Sequence, residues 1–316
     1  MTDFSRRSFL NTVAGSALAA SLPATAFSQS TRPGGKKPNV LFFMADDMRV
    51  EIGCYNSVHH AVTPNLDALA TSGVRFDRNY CQFPICNPSR ASLFSGHRPT
   101  ITKVLGNTTN LRKIQPNVVT IPQLFRMNGY TTARAGKIYH GGFDDLPSWD
   151  IGGGVADGDG GAGGHTIDTT KNPVPAANKD VLPPLAQDIS HGAHSDRIIL
   201  LDGKGEGHPD YKTADLAIQH LNKLKDQPFF IGCGFVKPHS PLAATQECYD
   251  RYDLDKIQLP PDFAAWPTVP DGFPSAAIRK RNADLFIGRG ASKEEAKQYI
   301  RAYIAAISFA DQQLGR

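Results

Sequence analysis

The stretch PNVLFFMADDM, residues 38–48, decides how this chain folds. Val40 to Met44 is an unbroken apolar run between Pro38 and Asp46. Its length suits a strand buried on both faces, as in a parallel sheet. Two carboxylates, Asp46 and Asp47, follow it directly. In open parallel sheets the carboxyl end of the strands is the edge where ligands bind.

The same pattern recurs outward from this strand. TPNLDALATSGVRF (63–76) reads as a helix with Thr63 as N-cap, Pro64 in the first turn and Gly73 at its end. VRFDRNYC (74–81) reads as a short strand, and PSRASLFSG (88–96) as a helix from near Pro88 to near Gly96. TIPQLFRMNGYTTARAGKIYH (120–140) gives a helix, a stop at Gly129 and a strand from Tyr130 to about Ala135. YKTADLAIQHLNKLKDQ (211–227) is an amphipathic helix, and PFFIGCGFVKPHSPL (228–242) a second buried strand. SKEEAKQYIRAYIAAISFADQQLGR (292–316) is a long helix with a capping box, Ser292 and Glu295. Alternating strands and helices predict an α/β fold, a mostly parallel sheet with helices on both faces.

Residues 151–192 are rich in Gly, Pro and Asp and read as a long surface insertion. DGDGG within them is not an EF-hand: Ala162 stands where glycine is needed and Asp168 where the closing glutamate is.

The chain has 316 residues, enough to bury a core, and a formal net charge of +4 with no long basic run. Nucleic-acid binding has no support in that composition. The cysteine number, five, is odd: Cys54, Cys81, Cys86, Cys233 and Cys248. Cys81 and Cys86 could form a short-loop disulfide; a zinc site lacks a second Cys or His pair at the usual spacing.

The N-terminus reads as an address. Ser5-Arg6-Arg7-Ser8-Phe9-Leu10 has the twin-arginine pattern, a moderately apolar stretch follows, and Ala24-Thr25-Ala26 is a small-x-small cleavage site. Removing residues 1–26 takes away two arginines and one aspartate, so the charge falls from +4 to +3. Residues 27–37 read as a linker. The expected destination is the periplasm or the outside of the cell, reached through the twin-arginine translocase.

Three strand ends carry charged groups that would share one edge of the sheet: Asp46 and Asp47, Lys137 and His140, Lys237 and His239. The carboxylates suit a hard divalent cation, provided the strand turns so that both face one ion. The cations suit the non-bridging oxygens of a tetrahedral anion. Cys86 lies in CQFPICNPSRASLFSGHRP (81–99) with Arg90 beyond it. A thiolate beside arginine could be a nucleophile. The phosphatase loop, however, needs a longer spacer than the three residues between Cys86 and Arg90.

Cys86-x-Pro88-Ser89-Arg90, with Ala91-Ser92 and Ser95-Gly96, resembles the signature of type I, formylglycine-dependent sulfatases. NVLFFMADDMR, GCYN, TPNLDALATSGVRF, GKIYH, KPHSPL and FADQQLGR follow in that family's order across about residues 38–316. GKIYH and KPHSPL are closer to iduronate-2-sulfatase-like members than to the aryl branch.

The resemblance implies an alkaline-phosphatase-like fold and hydrolysis of a sulfate ester, on a sulfated carbohydrate. It implies that Cys86 becomes formylglycine, made by a formylglycine-generating or sulfatase-maturating enzyme. Asp46, Asp47 and the modified residue 86 would hold Ca²⁺, or Mg²⁺. Arg90 would hold residue 86 and its charge. Lys137, His239 and Lys237 would bind the sulfate group, His239 or Lys137 helping the leaving oxygen. His140 would orient or deprotonate the hydrate. The family's other metal ligands and a further lysine lie beyond the QLGR region, so 38–316 is expected to be the N-terminal portion of a truncated or split catalytic domain. Two alternatives stand: a phosphodiesterase or phosphonate hydrolase of the same superfamily, and a non-catalytic fragment.

Overall fold

The computed structural model describes residues 37–152, 179–180, 198–265, 269, 271–277 and 290–316. The expected signal at 1–26 and most of the insertion at 151–192 lie outside the described residues.

Strand β1 (Val40–Asp46) is followed by helices α1 (Pro64–Ser72), α2 (Cys86–Ser95) and α3 (Ile121–Met127), then by β2 (Thr131–Gly136). Next come β3 (Lys179–Asp180), β4 (Ile198–Leu201), α4 (Pro209–Leu224), β5 (Phe229–Pro238), β6 (Leu242–Thr245) and α5 (Lys293–Gly315). β1, β5 and β2 form an all-parallel sheet with β5 in the centre. Parallel neighbours force crossovers, and the helices supply them.

The pleat of β5 sorts its side chains between two layers. Phe230 packs with Phe94 of α2, Phe125 of α3, Tyr139 and Trp149 on one face. Ile231, Cys233 and Phe235 pack with Ala214, Ala217 and Leu224 of α4 on the other. This is why the apolar run of β5 does not alternate with polar residues: all its residues are buried.

The structure departs from expectation in several places. β1 is not buried on both faces: it is the edge strand of its described sheet, and Leu41 and Phe43 are 36% and 38% exposed. Residues 74–80 form no strand; Val74, Phe76 and Tyr80 are 80%, 68% and 76% exposed, and no described strand pairs with them. β-branched and aromatic residues favour a strand only where a sheet face receives them. The described strands also form two sheets, the second holding β3 antiparallel and β6 parallel to β4. α5 packs on it through Ala302, Ile304, Ala305 and Phe309.

Helix ends follow the sequence in part. Ser292 and Glu295 make the capping box of α5. Thr63 precedes α1 but donates its hydroxyl to Asp67 at 3.1 Å. The first N–H groups of α1, from Asn65 and Leu66, donate to Asp311 of α5 at 3.2 and 2.7 Å. Among the described residues no helix is long and apolar enough to cross a membrane.

Candidate active site

β1 carries Asp46 to the carboxyl edge of the sheet, where it is buried. Asp47 then adopts a left-handed backbone, φ 59°. Extended backbone would point adjacent carboxylates to opposite sides; the left-handed residue turns the chain instead. The Tyr303 hydroxyl of α5 braces the turn, donating to the Asp47 carbonyl at 2.6 Å and accepting the Arg49 N–H at 2.9 Å.

α2 begins at Cys86 itself, two residues before the expected Pro88. Asn87 ties that end down, donating its side-chain amide to the carbonyls of Gly106 and Thr109 at 2.9 and 2.7 Å. Arg90, one turn on, shares the Cys86 face of the helix. It is 3% exposed and donates to Asp46 Oδ1 at 3.0 Å and to the carbonyls of Lys137 and Ile138 at 2.8 and 2.6 Å. The Cys86 thiol lies 3.8 Å from Asp46 Oδ2. The Lys137 ammonium donates to that same oxygen.

Two glycines let Lys137 come so close. Gly136 has φ 70°, and a Cβ on Gly234 would lie 2.0 Å from the Lys137 carbonyl oxygen. The segment after β2 therefore crosses directly over β5, and the Lys137 N–H donates to the Gly234 carbonyl at 2.8 Å.

β5 brings the third group. His239 Nδ1 meets the Ser240 carbonyl at 2.5 Å, which turns Nε2 toward Asp47 Oδ2, 3.6 Å away. Lys237 goes elsewhere: 1% exposed, its ammonium donates to the carbonyls of His239 and Pro241 at 2.5 and 2.6 Å. It locks the loop that carries His239 and does not join the groups around Asp46. His140 stacks on Phe143, and its buried Nδ1 has no hydrogen-bond partner among the described residues.

Burial works to raise the Asp46 carboxyl, but Arg90 and Lys137 beside it hold it well below the usual carboxylate range. Burial, then the Asp46 charge, pushes the Cys86 thiol up to about 11. The unmodified residue is thus a neutral thiol near pH 7, poorly suited to attack. Burial, then the charges of Lys137 and Arg90, lower His140 to about 4, so it is neutral at pH 7. Burial lowers Lys237 to about 8, with Asp210 opposing.

Donor atoms of Asp46, Cys86 and His239 lie within 4.8 Å of one another, and Asp47 stands beside His239. The two carboxylates fit a hard divalent ion; the sulfur does not. The set fits such an ion once position 86 offers oxygen in place of sulfur.

Asp46, Asp47, Cys86, Arg90, Lys137 and His239 therefore converge, His140 lies at the margin, and Lys237 stands behind. Asp210 and Tyr303 escape the sequence reading. Asp210 in HPD (208–210) reads as an ordinary first-turn acid, and Tyr303 as one more apolar-face residue of α5.

Fold and site define an alkaline-phosphatase-like α/β protein with carboxylates and cations gathered at the carboxyl end of its sheet. The chain belongs to the sulfatase family, whose sequence profile matches residues 38–316. It is 30% identical over 296 residues to a sulfatase of Formosa agariphila, covering 89% of this chain and 54% of that protein. It is 32% identical over 297 residues to human iduronate 2-sulfatase, covering 88% of this chain and 50% of that protein. The chain thus spans about half the length of the curated relatives it matches. The phosphonate monoester hydrolase of Agrobacterium radiobacter shares the fold, with a TM-score of 0.58 at 20% identity over 89% of this chain and 58% of that one.

Proposed function

We propose that this chain carries the nucleophile-bearing part of a sulfate-ester hydrolase acting on a sulfated carbohydrate. The observation that supports it most is the placement of Cys86: first residue of α2, 3.8 Å from Asp46 Oδ2, with Arg90 and Lys137 paired to that carboxylate. The carbohydrate substrate draws on the similarity to iduronate 2-sulfatase.

Converted to formylglycine, residue 86 would supply a hydrate: one oxygen to displace the ester alcohol from sulfur as that S–O bond breaks, the other, on losing its proton, to release the bound sulfate afterwards and restore the aldehyde. Asp46, Asp47 and residue 86 would hold a calcium or magnesium ion, which would supply positive charge for the sulfate oxygens and lower the pKa of the hydrate. Lys137 binds a sulfate oxygen, and His239 hands a proton to the departing alcohol. Neutral His140, with Nδ1 unpartnered, accepts the proton of the hydrate. Arg90 holds Asp46 in place, and Lys237 keeps His239 aimed from behind.

The conversion of Cys86 needs an external oxidant and a formylglycine-generating or sulfatase-maturating enzyme. The twin-arginine pattern at Ser5 to Leu10 and the small-x-small site at Ala24 to Ala26 support export of the product to the periplasm or the exterior.

Mass spectrometry of the peptide around residue 86, from chain co-produced with a maturating enzyme, tests the reading. Thiol-to-aldehyde conversion lowers its mass by about 18 Da, sulfur being exchanged for oxygen with loss of two hydrogens. Turnover of an aryl sulfate by chain that keeps an intact Cys86 thiol sinks the mechanism. Preference for aryl phosphate or phosphonate esters over sulfate moves the assignment to the phosphonate hydrolases. No turnover with the aldehyde in place makes the chain a non-catalytic fragment.

A further inference from the structure

The ladder between β1 and β5 contains a step. The strands run in register from Val40 opposite Phe230 to Ala45 opposite Phe235, and then Asp46 faces Pro238. Val236 and Lys237 are thus extra residues on β5, a bulge at the site's edge. Without them His239 would lie two residues further along, about 7 Å at the rise of a strand.

Such a bulge leaves buried N–H groups without ladder partners, and these need acceptors. Both go to one side chain. The Val236 N–H donates to Asp210 Oδ1 at 2.7 Å and the Lys237 N–H to Asp210 Oδ2 at 2.8 Å. Asp210 is 0% exposed and sits in the first turn of α4. It is held there in turn, its own N–H donating to His208 Nδ1 at 3.1 Å. α4 packs on β2 and β5, so the carboxylate is carried by a rigid support.

We propose that Asp210 is a positioning residue of this site: its two carboxylate oxygens pin the bulge in β5 and so set His239 opposite Asp47. Asp210 itself touches none of the groups that face the substrate. The proposal rests on the sulfatase reading only in treating His239 as a group that acts on substrate.

The test compares the parent chain with Asp210→Asn. Asparagine offers one acceptor oxygen and turns an NH₂ toward the other N–H, so the bulge loses one of its two ties. Imidazole ¹⁵N resonances of His239, assigned with His239→Gln, report its approach to Asp47. Asp47→Asn supplies the reference in which His239 has no carboxylate to face. Far-UV circular dichroism monitors the fold.

In folded Asp210→Asn the His239 resonances are expected to move toward those of Asp47→Asn. Where the parent turns over an aryl sulfate, kcat is expected to fall on the order of 10- to 100-fold, with KM much less affected. Folded Asp210→Asn with parental His239 resonances overturns the proposal. If Asp210→Asn does not fold, Asp210→Glu, which keeps both oxygens on a longer stem, is read the same way. Failure of both to fold also overturns it, because Asp210 is then a plain framework residue. A parent that carries the aldehyde at residue 86, does not turn over and still shows His239 resonances that respond to Asp210 refutes the enzymatic reading and leaves this one standing.

Discussion

Replacing Arg90 by methionine removes the guanidinium that joins three parts of the site while keeping most of its bulk. The side chain is 3% exposed and donates to Asp46 Oδ1 at 3.0 Å and to two carbonyls at 2.8 and 2.6 Å. Lys137 still pairs with Asp46 Oδ2, so the carboxylate is not stranded. Losing one charge-assisted bond there costs about 1.5–3 kcal/mol, and each buried carbonyl left without its donor adds about 1 kcal/mol. The total, about 3.5–5 kcal/mol, falls within the usual cost of breaking a buried ion pair. It is a large share of the roughly 5–15 kcal/mol that holds a domain folded.

Urea unfolding followed by circular dichroism gives the measurement. At a slope of about 3 kcal/mol per molar urea, the midpoint falls by about 1.2–1.7 M with the slope unchanged. Arg90→Lys recovers less than half, because an ammonium cannot fork across three acceptors. A midpoint drop under about 0.3 M for Arg90→Met, equivalent to less than about 1 kcal/mol, refutes the picture of Arg90 as the tie between α2, β1 and the segment after β2.

His140 is lowered from 6.5 to about 4, so the unfolded chain takes up a proton there before the folded one. Its contribution to stability is present above pH 6.5 and is lost as pH falls toward about 4. His140→Gln is expected to flatten the pH dependence of the urea midpoint in that window; an unchanged slope counts against it. With the Cys86 thiol at about 11, only about 0.1% is thiolate at pH 8. Iodoacetamide at that pH, read by peptide mapping of unconverted chain, is expected to label exposed Cys81 well before Cys86; the reverse order contradicts the assignment. Arg134 and Asp144 form an ion pair 3.4 Å apart with side chains 1% and 0% exposed. Asp144→Asn is expected to cost about 3–5 kcal/mol, and a thermal midpoint unchanged from the parent would exclude it.

The strand ends were legible because their chemistry changes abruptly. Val40 to Met44 marks a strand, although Leu41 and Phe43 on one of its faces stay 36% and 38% exposed, and Asp46 cannot be buried without partners, so the boundary marks the strand's end. Cys86 and Arg90 were legible through the Cys-x-Pro-Ser-Arg pattern, not through helical spacing: the helix was expected from Pro88 and begins at Cys86. Residues 74–80 misled because Val74 and Phe76 have strand propensity with no sheet face to meet. The division into two sheets was hidden in β4 and β6, four residues each. The direction of Lys237 and the role of Asp210 both follow from the step in register between Ala45 and Asp46, and pairing across distant strands leaves no mark on either strand alone.

Tyr303 reaches the Asp47 carbonyl across 256 positions of sequence, and Asp311 reaches Leu66 across 245. Spans that long are slow to close, since the chain surrenders its freedom before the contacts return anything. On a ribosome, the paired carboxylates and Cys86 emerge well before the helix that braces them. Until α5 arrives the segment around Cys86 is therefore an open peptide, and the corner around it stiffens only then.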